Sequence, residues 1–326
     1  MNTFEYVNAV SAGNAVELLS SGADAVCMAG GTDLLTRIKP GIAKPGRVVN
    51  LKTIPEFDFI KAEAGGLRIR PAVTLDSLSK NENVRQKFPA LVEAIRVTAS
   101  PQLRNRGTIA GNLMQSQRCW YYRGEFKCWM KQGQICYAHL GENTYHIIFG
   151  GKVCHAVHPS DLAPVLTALD ATVIVRGPDG TRKVPIEELF QIPPKENRQL
   201  HILKPAEIIT EIFIPEPARG SKGTYLKAMD RKAWAFALAG AAIQLNMEFG
   251  KINQARVVLG GVANKPWRLL KTEELLRGRE LTPELINSAA ESAVEGAQPL
   301  AHNHYKIALV KGIVKEAFAK INKLAE

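Results

Sequence analysis

The chain contains no uninterrupted apolar run near the ~18 residues a membrane helix requires. Its N-terminus, MNTFEYVNAVSAGNAVELL, also lacks a basic segment followed by an apolar one. These absences predict a soluble chain with no membrane insertion and no export signal of its own. There is no internal repeat and no low-complexity segment. Acidic residues are in deficit, 31 Asp and Glu against 42 Lys and Arg, for a net charge of +11. An excess of that sign suits binding to a phosphate backbone. The basic residues are dispersed, however, without a dense block or a basic region running into heptads, so nucleic acid is not the expected partner. A solvated basic surface, or a patch facing an acidic partner or an anionic cofactor, accounts for the charge better. Cysteine is scarce, 5 in 326 residues, which excludes the disulfide framework of a small secreted domain. With 46% hydrophobic and 22% charged residues, the chain has room for two or three globular domains.

The dinucleotide fingerprint with three spaced glycines is missing as well. In its place stand two small-residue turns. Ala25 to Ala29 reads as a buried strand feeding Gly30-Gly31-Thr32-Asp33-Leu34, with a helix starting at Thr32 or Asp33. With the helix at 11–21 and a strand at Arg47 to Leu51, this makes a small βαβ unit. Free N–H groups at such a helix start point at any anion placed there, although an ordinary strand-to-helix turn would look the same. A strand at 66–73, a helix capped by Thr74 and a helix over Ala90 to Ala99 lead to the second turn, Gly107-Thr108-Ile109-Ala110-Gly111-Asn112. The two turns flank one α+β unit and suit the two ends of a pyrophosphate.

Four of the five cysteines, Cys119, Cys128, Cys136 and Cys154, fall within 36 residues. Their spacing, C-x8-C-x7-C-x17-C, matches neither paired C-x2-C zinc halves nor the compact ferredoxin run. Four thiolates can saturate an iron–sulfur cluster or a structural zinc, and buried reduced cysteines remain the third reading. His139, His146, His155 and His158 lie in the same region and could replace one thiolate. Cys27, in the strand before the first turn, reads as a packed core thiol. Ser160 is a natural helix cap, and Asp161 beside it either complements the helix dipole or accepts hydrogen bonds from a ligand hydroxyl.

Beyond lie a helix at 161–169, a hairpin of 172–176 with 182–185 closed by Gly177-Pro178-Asp179-Gly180, and a strand at 208–214. Residues 218–223 form the best boundary. Strands at 223–228, 237–247 and 257–262 then precede a helical stretch from Leu269 to Leu324, in which Pro283 sits in a first helical turn.

Ala29 to Leu34, Gln102 to Asn105 with Gly107 to Asn112, Ser160 to Leu166, Leu169-Asp170-Ala171, Val258 to Ala263 and the helix from Tyr305 to Ala317 together resemble the FAD-binding medium subunit of the xanthine dehydrogenase and carbon monoxide dehydrogenase family of molybdenum hydroxylases. The resemblance spans nearly the whole chain. The stretch from Cys119 to Cys154 reads as an insertion, similar to the one that carries a 4Fe–4S cluster in 4-hydroxybenzoyl-CoA reductase and in periplasmic aldehyde oxidoreductases.

The resemblance implies an α+β fold in two parts. The first is an FAD-binding domain over 1–217, made of a βαβ subdomain (1–55) and a mixed-sheet subdomain (56–217) carrying the cysteine-rich insertion (115–157). The second is a C-terminal domain over 218–326, with a three-stranded antiparallel sheet and a helical bundle. It further implies that Ala29, Gly30, Gly31, Thr32, Asp33 and Leu34, with Gly107, Thr108, Ala110, Gly111 and Asn112, cradle the FAD pyrophosphate. Ala110 replaces a common glycine. Ser160 and Asp161 would meet an FAD hydroxyl, and Ile209 and Lys227 would lie near the isoalloxazine, although a lone strand lysine is otherwise a solvated edge residue. Trp234 is a candidate for stacking on the ring. The four cysteines would hold the cluster.

The chain itself shows neither a molybdopterin motif nor a C-x4-C-x2-C pattern. The expectation is therefore an electron-transfer subunit that needs a molybdopterin-binding large subunit, a 2Fe–2S small subunit and an external acceptor or donor such as ferredoxin, NAD or oxygen. The expected location is the cytoplasm, or the periplasm if a signal-bearing partner carries the complex out. The alternatives are a stand-alone FAD oxidoreductase and a zinc-stabilised interaction module.

Overall fold

The computed structural model describes residues 2–22 and 24–323. Strands β1 (Glu5–Asn8), β2 (Ala25–Met28) and β3 (Arg47–Asn50) form a parallel sheet in the order β1-β3-β2. The Ser11 hydroxyl accepts the Asn14 N–H at 3.1 Å and so starts helix Ala12–Ser20, which buries Ala15 and Val16 in one core with Val49. On the other face, Leu34 and Ile38 of helix Leu34–Ile38 pack with Val48, Val26 and Met28. The expected core position of Cys27 is not what forms. Cys27 is exposed, because β2 is an edge strand and Cys27 points away from the face that Val26 and Met28 bury.

The second sheet runs β4-β5-β8-β6-β7, from β4 (Ile60–Glu63), β5 (Gly66–Ile69), β6 (Thr172–Gly177), β7 (Gly180–Pro185) and β8 (Ile208–Pro215). Expected to be mixed, it is antiparallel in every ladder, because tight turns join β4 to β5 and β6 to β7. Helices Leu75–Lys80, Glu82–Lys87, Pro89–Val97 and Leu162–Ala168 share its core.

The third sheet, β12-β11-β10-β9, contains β9 (Ser221–Ala228), β10 (Ala239–Glu248), β11 (Lys251–Gly260) and β12 (Trp267–Arg268). It has four strands where three were expected. The extra one is a two-residue strand paired with Val258 and Leu259, too short to leave a periodic signal. Ala241, Ile243, Val257 and Leu259 face helices Leu270–Leu276, Pro283–Ser292 and Tyr305–Lys323, whereas Tyr225, Ala242 and Val258 join the core of the second sheet. With both faces buried, this sheet welds the two halves of the chain. Glu93 adds a polar tie, accepting from the Thr224 hydroxyl at 2.8 Å, the Tyr225 N–H at 2.8 Å and the Lys320 ammonium at 2.6 Å. Leu324, at the end of the expected helical stretch, lies outside the described residues. Among the described residues, no helix is long and apolar enough to cross a membrane.

Candidate functional site

The two glycine turns meet. A Cβ placed on Gly30 would sit 2.1 Å from the Arg106 carbonyl oxygen and 3.0 Å from the Gly107 Cα, so only glycine permits this backbone contact. Gly31 adopts φ +74°, the left-handed region that favours glycine. The turns differ in what they offer a ligand. In the second, the Ile109, Ala110, Gly111 and Asn112 N–H groups are bonded to Val73, Pro71 and Thr108, and Thr108 caps the short helix Ile109–Leu113. In the first, among the described residues, the N–H groups of Gly30, Gly31, Thr32 and Asp33 make no hydrogen bond within the chain. The first turn is the free donor set, and the second is the wall that shapes it.

A cavity of about 630 Å³ opens at this junction, of a size usual for small-molecule sites. Thr32, Asp33, Gly107, Thr108, Gly111, Asn112 and Asp161 line it, so the structure gathers seven of the predicted residues around one cavity. Ala29, Gly30, Gly31, Leu34, Ala110 and Ser160 do not line it. The Ser160 hydroxyl donates to Asn112 Oδ1 at 2.6 Å and accepts the Ala163 N–H at 3.0 Å, starting helix Leu162–Ala168 and fixing Asn112 together.

Asp33 ties the first turn to the cysteine region. Its carboxylate accepts the Ser116 N–H at 3.0 Å and pairs with Arg118 at 2.8 Å, Arg123 at 2.7 Å and Arg37 at 3.4 Å. Burial pushes the Asp33 carboxyl up, but Arg118, the Ser116 N–H and Arg123 outweigh it and hold the group below its ordinary value. Arg118 is lowered to about 10, chiefly by its own burial, and stays charged at neutral pH. Three guanidiniums against one carboxylate leave positive charge beside the free N–H groups, the sign a pyrophosphate needs.

Asp161 lies under the cavity in a buried network. Its carboxylate accepts from the Tyr225 hydroxyl at 2.8 Å, the Thr98 hydroxyl at 3.1 Å and the Lys227 ammonium at 2.8 Å. Tyr225 and Lys227 alternate on the same face of β9, which is why both reach it. The Lys227 side chain is 1% exposed, also bonds the Val97 carbonyl at 3.1 Å, and does not line the cavity. Its charge therefore reaches any ligand through Asp161, in place of the direct approach the sequence suggested. Three protein donors leave Asp161 about one of its roughly four acceptor positions for a ligand hydroxyl. Ile209 goes elsewhere. It faces Val175 in the second sheet and packs in the core, away from the cavity.

The rest of the lining is largely aromatic. The cysteine region supplies Cys119, Trp120, Tyr145 and His146, and the loop after β9 supplies Trp234 and Phe236. Trp120 meets Tyr145 and His146 edge-on, each at 5.5 Å. Trp234 is 62% exposed with φ +52°, its carbonyl held by Arg231 at 2.7 Å.

All four clustered cysteines line a second, small cavity with Trp129, Met130 and Tyr137, and Cys119 lines both cavities. Burial raises Cys119 to about 11 and also raises Cys128 and Cys154, and each is raised further by the charge of its cysteine neighbours. Among the described residues, no group of three or more His, Cys, Asp or Glu side chains is arranged to hold a metal ion. The region is docked on the C-terminal half by buried side chains. Asn303 donates to the His146 and Ile147 carbonyls at 3.1 and 3.0 Å, Asn264 to those of Cys154 and Ala156 at 3.2 and 2.6 Å, and the Lys306 ammonium to that of Tyr145 at 3.4 Å. His146 Nε2 lies 3.2 Å from the Cys119 sulfur. The other candidate histidines make no such contact; His139 and His155 face each other with rings 5.2 Å apart, and His158 packs on Phe190.

Residues 2–217 match the family described as the FAD binding domain in molybdopterin dehydrogenase, and residues 224–321 the CO dehydrogenase flavoprotein C-terminal domain. The chain belongs to this flavoprotein family. It is 33% identical over 298 residues to the aldehyde oxidoreductase FAD-binding subunit PaoB of Escherichia coli K12, covering 90% of each chain. It is 28% identical over 320 residues to the carbon monoxide dehydrogenase medium chain of Hydrogenophaga pseudoflava, covering 96% of this chain and 95% of that one. The solved structure of Cu,Mo-CO dehydrogenase in its cyanide-inactivated form superposes with a TM-score of 0.79 at 25% identity, covering 98% of both chains. The protein is thus an FAD-binding medium subunit of the molybdenum hydroxylase family, an oxidoreductase subunit with the α+β fold of the carbon monoxide dehydrogenase medium chain. The flavoprotein family's signature residues were legible, but Arg118, Arg123, Trp120, Tyr145, Asn264 and Asn303 were not. Nothing in the local sequence joins Arg118 and Arg123 to Asp33 of the first turn, or Asn264 and Asn303 to the cysteine region.

Proposed function

We propose that this medium subunit is an electron relay, holding FAD in the large cavity and a 4Fe–4S cluster on Cys119, Cys128, Cys136 and Cys154 in the small one. The observation that carries the reading is that Cys119 belongs to the wall of both cavities. Two redox groups sharing one wall residue are close enough to exchange electrons without a mobile carrier between them.

The residues fit both groups. For FAD, the N–H groups of Thr32 and Asp33 on the cavity lining would hold the pyrophosphate, Gly30 and Gly31 would shape the turn that presents them, Arg118 would supply charge, and Asp161 would accept a hydroxyl. For the cluster, Cys119, Cys128 and Cys154, each raised by burial and by its cysteine neighbours, are costly as thiolates unless positive metal lies among them. All four thiols line one cavity, and four thiolates are the number that a 4Fe–4S cluster takes. When bound, FAD supplies one- and two-electron exchange and the cluster one-electron exchange. The chain's own part is to fix their separation, exclude water through Trp129, Tyr121 and Tyr137, and hold the charges around them.

The electrons would come from a molybdopterin-binding large subunit and a 2Fe–2S small subunit, and would leave to, or arrive from, an external one- or two-electron partner. The medium-chain relatives support this assignment of partners. Cys128→Ser tests the cluster directly. The variant is expected to keep its flavin absorbance and to lose most of its iron, measured by metal analysis on anaerobically purified protein. Iron equal to the wild type would contradict the ligand set.

A further inference from the structure

The imidazole of His146 touches both proposed redox sites, and its bonding is unusually constrained. Its ring is buried, at 2% exposure, and forms part of the flavin cavity wall beside Trp120. Nε2 lies 3.2 Å from the Cys119 sulfur. A thiolate sulfur that ligates metal can only accept a hydrogen bond, so the ring suits such a sulfur when Nε2 carries a proton directed at it. The backbone is fixed from outside the cysteine region: Asn303 bonds the His146 and Ile147 carbonyls, and Ile148 and Phe149 donate to the Val262 carbonyl at 2.9 and 3.1 Å. These contacts fix the backbone from which the ring projects.

We propose that His146 is a positioning and tuning residue, donating from Nε2 to the Cys119 sulfur and thereby setting the potential of the iron–sulfur site against the flavin whose cavity it also walls. The inference rests on the cluster reading above. A hydrogen bond to a ligand sulfur stabilises the reduced cluster, which carries one more negative charge, and so raises its potential. Asn303, which touches neither site, acts by holding His146 in place.

Redox titration of the anaerobically purified full-length chain, followed by electron paramagnetic resonance, tests the idea with flavin and iron measured on the same samples. His146→Leu is expected to retain wild-type flavin and iron. Its cluster should become harder to reduce, shifting the electron equilibrium between cluster and flavin toward the flavin by about tenfold, the worth of one hydrogen bond to a charged group. His146→Gln, whose amide can donate to the sulfur, should return most of that shift. An unchanged equilibrium in His146→Leu would overturn the proposal. So would loss of iron from both variants, which would make the imidazole a ligand or a structural prop. A wild-type protein without iron defeats the cluster reading before any variant is made, so the two failures are distinguishable.

Discussion

Gly30→Ala is expected to strip the subunit of its flavin. The new methyl would lie 2.1 Å from the Arg106 carbonyl oxygen, a backbone atom that cannot swing aside like a side-chain tip. Relief requires the two turns to part, which carries the free N–H groups of the first turn away from Gly107 and Thr108 on the second. Overpacking of this kind costs about 1–3 kcal/mol. If that cost falls on the bound conformation, FAD affinity drops by up to about 100-fold. Gly312→Ala is the matched control. A Cβ there meets nothing within 4 Å, and its place inside helix Tyr305–Lys323 makes alanine stabilising by about 0.5–1 kcal/mol. Flavin absorbance per chain after gel filtration, with chemical denaturation, reads both effects. Gly30→Ala with a full complement of flavin would show that the junction of the turns is not the binding site.

The second large effect concerns the charge network under the cavity. Asp161→Ala leaves the Lys227 ammonium, 1% exposed, with the Val97 carbonyl as its one remaining acceptor among the described residues, and removes Asp161 as the acceptor of the Tyr225 hydroxyl. An uncompensated buried charge costs about 3–5 kcal/mol, and that loss should appear in denaturation of the chain. Adding Lys227→Met removes the stranded ammonium, so the double variant should be more stable than Asp161→Ala alone. This sign distinguishes a stranded charge from simple loss of packing. A double variant weaker than the single would contradict a buried ion pair between β9 and the start of helix Leu162–Ala168.

The sequence exposed some of this more readily than the rest, for physical reasons. Glycine turns and capping residues act on their own neighbours, so Gly30-Gly31 and Ser160 could be read locally, and the cysteine cluster announced itself by density. Cys27 shows the limit. In the run Ala25-Val26-Cys27-Met28, no alternation says which face is inward, and its edge position depends on β1 and β3. β1 itself shows too little apolar pattern to be foreseen and forms by pairing with β3. Lys227 is legible as a lysine in a strand, but its partner lies 66 residues away and meets it only because β9 crosses helix Pro89–Val97 and the segment at Asp161. The same holds for His146 and Cys119, brought together by an irregular stretch whose path is set by Asn264 and Asn303 in the distant half of the chain. Residue types marked the site, while long-range packing decided which of them touch.

The most direct test of the relay is the visible spectrum of the anaerobically purified chain, taken with flavin, iron, acid-labile sulfide and zinc analysis of the same sample. The account predicts one flavin with about four irons and four sulfides per chain. Flavin with neither iron nor sulfide would contradict the relay and leave a plain flavoprotein subunit, and zinc without flavin would contradict the reading of both cavities.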